Sequence, residues 1–66
     1  MQVKINGKAV EAAEGTNVAK VLTDNGFDPK LVVVELNKSI VPKHEFEGIT
    51  VPNGGELEVL SFVGGG

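Results

Sequence analysis

Cysteine, tryptophan and tyrosine are missing from this 66-residue chain, and its three aromatic residues are all Phe. Without cysteine there is no disulfide framework, no thiolate metal site and no internal sulfur nucleophile. A small domain lacking disulfides is expected inside the cell, in the cytoplasm. Long apolar runs are missing too: none approaches the roughly 18 residues that a membrane-spanning helix needs. The opening Met1-Gln2-Val3-Lys4-Ile5-Asn6-Gly7 has no apolar stretch followed by a small-residue cleavage site, so no secretion signal is expected there. Basic residues are scarce, six against nine acidic, with one His and a net charge of −3. With few aromatics and no basic cluster, that balance argues against nucleic acid as a partner.

What remains is enough for one folded domain. Hydrophobic residues make up 41% of the chain and charged residues 23%, which suits a globular core and argues against global disorder. A chain of this length buries only about 60% of the surface its unfolded form exposes, so a single core must hold it together.

Met1, Val3 and Ile5 alternate with Gln2 and Lys4, the period of a half-buried strand. Asn6-Gly7 tolerates the positive φ of a two-residue hairpin turn. That turn pairs Ile5 with Lys8, Val3 with Val10 and Met1 with Ala12, keeping one face apolar except at Lys8. Glu14-Gly15 interrupts the second strand. Thr16 then reads as the N-cap of a helix of about ten residues beginning at Asn17. Val18, Val21 and Leu22 form its apolar stripe. Gly26 suits a left-handed helix end, Phe27 folds back over the last turn, and Asp28-Pro29 stops the helix.

Leu31-Val32-Val33-Val34-Glu35-Leu36 reads as an interior strand. Asn37-Lys38-Ser39 turns the chain into a brief strand at Ile40-Val41, ended or confined to an edge by Pro42. The stretch from Lys43 to Gly55 is irregular, with Phe46, Ile49 and Val51 tucked beneath it as a satellite of the core. Glu56 to Phe62 is the last strand. One helix with four or five strands gives an α+β domain, the helix covering one face of a mixed sheet.

Most candidate chemistry fails on spacing. Gly7-Lys8 has no glycine five residues before Gly7, and Gly54-Gly55 leads into a strand, so neither builds a phosphate-binding loop at a helix N-terminus. His44 with Glu45 and Glu47 makes no metal cage by adjacency alone and reads as an exposed loop histidine. Ser39 and Ser61 have no evident base. Glu56 and Glu58 share a strand face, where solvated side chains are a simpler reading than an acid–base pair. No catalytic residue and no metal ligand is assigned.

If those acids point outward, Leu57 and Val59 face the helix while Leu60 and Phe62 face the open side. Glu35 pointing outward takes Val33 with it. Val33, Leu60 and Phe62 then form an exposed apolar patch beside the chain end, and such patches mark contact surfaces.

The end of the chain, Val63-Gly64-Gly65-Gly66, has no side chain beyond Val63, so it is expected to be flexible and to add nothing to the core. Four extended residues reach about 13–14 Å, enough to place the final carboxylate inside another protein's active site.

Taken together, Val34-Glu35-Leu36-Asn37, Ile40-Val41-Pro42 and Phe62-Val63-Gly64-Gly65-Gly66, with the Asn6-Gly7 hairpin and the Glu14-Gly15-Thr16 lead into the helix, resemble the ThiS family of small sulfur carriers in thiamine biosynthesis. The resemblance covers essentially the whole chain. A terminal Gly-Gly is the family signature, and the third glycine here leaves the role of Gly64 open. The resemblance implies a ubiquitin-like β-grasp domain over residues 1–62, with 63–66 as a glycine-rich tail. It also implies a protein co-substrate rather than an enzyme. A ThiF-type adenylyltransferase would adenylate the Gly66 carboxylate using ATP, with no cofactor resident on the carrier. A cysteine desulfurase system would supply the sulfur of the resulting thiocarboxylate, and thiazole synthase would consume it. Gly64 and Gly65 would occupy the partner's active-site channel, and Val33, Leu60, Phe62 and Val63 would contact the partner surface. A molybdopterin-type carrier, a protein-conjugating modifier and a plain interaction domain with an inert tail are the alternatives.

Overall fold

The computed structural model describes residues 1–61. Strand β1 (Gln2–Ile5) and strand β2 (Lys8–Glu11) form the expected antiparallel hairpin, with Val3 opposite Val10 and Ile5 opposite Lys8. Met1 and Ala12 extend it, the Ala12 N–H donating to the Met1 carbonyl at 2.8 Å and the Met1 nitrogen to the Ala12 carbonyl at 2.9 Å. Asn6 at φ 52° and Gly7 at φ 85° both occupy the left-handed region, as a tight turn matching strand twist requires.

Helix α1 (Val18–Asp24) is shorter than the sequence suggests and starts one residue later. Asn17, not Thr16, is the N-cap, its Oδ1 accepting from the Lys20 N–H at 2.8 Å. The reason is tertiary. The Thr16 carbonyl accepts from the Val51 N–H at 2.9 Å, and Asn17 bridges Thr50, so the chain stays extended through Thr16. The other end follows expectation: Gly26 adopts φ 86°, its N–H reaches the Thr23 carbonyl and the Phe27 N–H reaches the Leu22 carbonyl, an arrangement that satisfies the last free carbonyls.

A 3₁₀ turn over Pro29–Leu31 carries the chain into β3 (Val32–Leu36), so Leu31 lies outside the strand. Strand β4 (Ser39–Val41) returns antiparallel, with Glu35 opposite Ile40. Asn37 and Lys38 make this turn, at φ 50° and 72°. A second 3₁₀ turn, Lys43–Glu45, precedes β5 (Glu56–Ser61).

The strands form one five-stranded sheet in the order β2-β1-β5-β3-β4. The last strand therefore lies in the middle, parallel to β1 and antiparallel to β3. Helix α1 packs on one face, as the β-grasp expectation requires. Val18, Val21 and Leu22 of the helix meet Val3, Ile5, Val32, Val34, Leu57 and Val59 of the sheet in one core. Phe46 and Val51 belong to that same core rather than to a separate satellite, while Ile49 is partly buried against it. Burying these side chains supplies the main driving force, each contributing about 1.5–3 kcal/mol relative to exposure. Among the described residues no polar or charged side chain is buried, and no helix is long and apolar enough to cross a membrane. The expected domain boundary at residue 62 lies outside the described residues.

Candidate functional site: the end of strand β5 and the open sheet face

Strand β5 alternates strictly: Leu57 and Val59 are buried, while Glu56, Glu58 and Leu60 point to the open face. This is the alternation that the outward glutamates predict. Two asparagines fix its register. The Asn37 N–H donates to the Glu56 carbonyl at 2.8 Å, and the Asn37 Oδ1 accepts from the Glu56 N–H at 2.9 Å. At the other neighbour, the β1 pairing reaches only Ile5 opposite Leu57. Beyond it the Asn6 side chain takes over, its Oδ1 accepting from the Val59 N–H at 2.8 Å and its Nδ2 donating to the Val59 carbonyl at 3.1 Å. The strand that leads to Phe62–Gly66 is thus held on both sides up to Val59 and by β3 alone at Leu60 and Ser61.

On the open face Val33 lies opposite Leu60 and Glu35 opposite Glu58. Leu60 is 64% exposed and Val33 38%, so these two predicted contact residues come together on the surface as expected. Ile40, 68% exposed and paired with Glu35, extends the patch toward the sheet edge. The sequence signal for Ile40 was the hairpin itself: a two-residue turn at Asn37-Lys38 pairs Glu35 with Ile40 and sends both outward. Phe62, Val63, Gly64, Gly65 and Gly66 lie outside the described residues, so the predicted patch is seen here only in part.

The other candidates stay apart. Ser39 and Ser61 sit opposite Leu36 and Val32, the two ends of β3. His44 is 80% exposed on the second 3₁₀ turn, with its Nε2 3.5 Å from Glu45 Oε2. An open groove of about 840 Å³ runs along α1 on the opposite side from the patch, with Lys20, Lys30, Lys43 and His44 on its walls. Among the described residues its walls hold no nucleophile beside a base. Lys20 is engaged by Asp24 at 2.8 Å, and the Lys43 Nζ donates to the Lys30 carbonyl at 2.8 Å. Among the described residues no three His, Cys, Asp or Glu side chains are grouped as metal ligands would be.

The β-grasp sheet is what the sequence resemblance implies, its five strands fall within the expected four or five, and direct comparison decides the family. The sequence profile of the ThiS family matches residues 3–66. The chain belongs to the ThiS family. It is 31% identical over 65 residues to the sulfur carrier protein ThiS of Bacillus subtilis, covering 97% of this chain and 98% of that one. It is similar to the crystal structure of the thiamine biosynthesis protein ThiS from Geobacter metallireducens, with 36% identity, a TM-score of 0.79 and full coverage of both chains. It is also 36% identical over 66 residues to a thiazole synthase of Paramagnetospirillum magneticum, of whose length it spans 20%. Within the ThiS fold, the asparagine contacts to β5 are what sequence reasoning missed. Asn6 reads as a turn residue, and nothing local reveals that its side chain reaches a strand 53 positions away.

Proposed function

We propose that this ThiS-family chain is a sulfur carrier of thiamine biosynthesis, a co-substrate on which partner enzymes act. The observation that carries the reading is the family match extending through Gly66. At neutral pH an α-carboxyl group, with a reference pKa of about 3.5, is an anion and a poor acyl electrophile. Adenylation of the Gly66 carboxylate by a ThiF-type adenylyltransferase, at the expense of ATP, converts that oxygen into part of a leaving group. Sulfide-level sulfur, released from a donor such as a cysteine desulfurase system by a thiol reductant, then attacks the carbonyl carbon, AMP departs, and the chain ends as a thiocarboxylate. The absence of Cys fits this division of labour, because the carrier holds no thiol to capture its own activated end. Gly65 and Gly66 place no Cβ in the path of the attacking sulfur.

Thiazole synthase is the proposed acceptor of that sulfur. A thiazole synthase of which one fifth resembles this chain supports the two activities working side by side. Val33 and Leu60 are the described part of the proposed docking surface, with Phe62 and Val63 continuing it and Gly64 and Gly65 threading the partner's channel. A reaction that consumes ATP favours a cytoplasmic carrier.

Intact-mass measurement after incubation with ATP, the cognate activating enzyme and a sulfur donor tests the reading. The expected product is heavier by the difference between sulfur and oxygen. Covalent attachment to a second protein would identify a modifier instead, and an unchanged mass would identify an inert tail.

A further inference from the structure

Glu35 and Glu58 face each other as register partners on β3 and β5. Like charges placed directly opposite across a sheet cost stability. Nothing on the described surface relieves this pair. The ion pairs present join the Met1 nitrogen to Glu11, Lys20 to Asp24 and His44 to Glu45. Lys4, the cation on the adjoining strand, is the register partner of Glu56. Apolar side chains flank the two glutamates: Val33 and Leu60 on one side along the strands, and Ile40 across the sheet. Val33, Glu35, Glu58, Val59 and Leu60 line a shallow hollow of about 180 Å³, room for the head of one side chain.

We propose that this hollow is a docking surface for an arginine of the activating enzyme, the guanidinium bridging the Glu35 and Glu58 carboxylates while neighbouring apolar side chains of that enzyme cover Val33, Leu60 and Ile40. The inference rests on the sulfur-carrier reading, which supplies the partner. Charge complementarity selects a cation, and the planar, multiply donating guanidinium suits two separate carboxylates better than a point ammonium does. Position favours the same conclusion. Residues 62–66 span at most about 16–18 Å when extended, so a partner that acts on Gly66 must seat against this end of β5. In the free carrier the two glutamates stand opposite each other with no ion-pair partner among the described residues, and a bound arginine would give them a shared one.

The test measures the affinity of the full-length carrier for its cognate adenylyltransferase at low and high salt. Wild type is compared with the isosteric double variant Glu35→Gln/Glu58→Gln and with Glu58→Lys. The double variant is expected to bind about tenfold more weakly and to lose most of the salt dependence, with Glu58→Lys weaker still. Its melting temperature should equal or exceed that of wild type. Equal affinity of wild type and double variant, or a wild-type affinity indifferent to salt, would overturn the inference. So would a lower melting temperature of the double variant, because the pair would then be holding the domain together. The two readings fail separately. If the double variant binds normally yet gains sulfur at Gly66, the carrier function stands and the arginine site falls. If neither protein gains sulfur, the carrier reading falls while the affinity comparison still decides the surface.

Discussion

The side chain of Asn6 lies across the backbone of Val59, giving one hydrogen bond and accepting another from a strand that β1 no longer reaches. One amide group replaces a step of the sheet ladder. It does so from a turn position at φ 52°, a conformation that Asn tolerates and most residues do not. Replacing Asn6 by Ala removes both bonds and adds backbone strain, and is expected to cost about 2–3 kcal/mol. Asn6→Gly relaxes the backbone and loses only the bonds, so its cost should be smaller, about 1–2 kcal/mol. Urea denaturation of the two variants reads this order directly. Wild-type midpoints for both would show that the amide contributes nothing to β5.

The core sets a second expectation. Leu22 and Leu57 are fully buried, one on the helix and one on the central strand. Truncating either to Ala should cost about 2–5 kcal/mol. A chain of this length has about 3–10 kcal/mol in total. Leu22→Ala is therefore expected to leave a substantial unfolded fraction at 37 °C, visible as a shallow, early melting transition by circular dichroism. A melting temperature within a few degrees of wild type would contradict the placement of Leu22 at the centre of packing.

Leu60 makes the opposite case. With 64% of its surface exposed, Leu60→Asp should leave the melting temperature nearly unchanged. The same substitution, or Phe62→Asp, should weaken binding to the activating enzyme by about 1–2 kcal/mol through lost apolar contact. Isothermal titration with that enzyme separates the two effects. Unaltered affinity in both variants would remove this end of β5 from the interface.

Removing Gly65 and Gly66 should abolish conversion of the chain end to a thiocarboxylate. Every residue of the described core lies between Val3 and Val59, so the melting temperature is expected to stay close to that of wild type. Mass spectrometry and calorimetry on one sample check both halves. Persisting sulfur transfer to the shortened chain would mean that Gly66 is not the acceptor.

The sequence announced most of the fold because its signals were local. Asn6-Gly7 between alternating apolar residues specifies both the hairpin and its register, and Glu56, Glu58 and Leu60 betray which side of β5 meets water. Where partners lay far along the chain, sequence reasoning stopped short. The helix begins at Val18 because Thr16 is bound to Val51, a contact across 35 positions that no cap preference can register. Phe46 and Val51 entered the main core for a similar reason: the irregular segment that carries them folds against α1, the Ala19 N–H reaching the Phe46 carbonyl at 2.9 Å. The exposed apolar patch was legible through Val33 and Leu60, whereas the opposition of Glu35 and Glu58 emerged only with the pairing of β3 and β5.

The central place of β5 ties the carrier's chemistry to its architecture. Within the described sheet, the β1–β2 and β3–β4 hairpins are hydrogen-bonded to each other through β5. A copy of the protein whose synthesis halts before this strand has no continuous sheet and cannot present a finished surface. Such a chain also loses Leu57 and Val59 from the core, so it is expected to stay unfolded rather than to form a smaller domain.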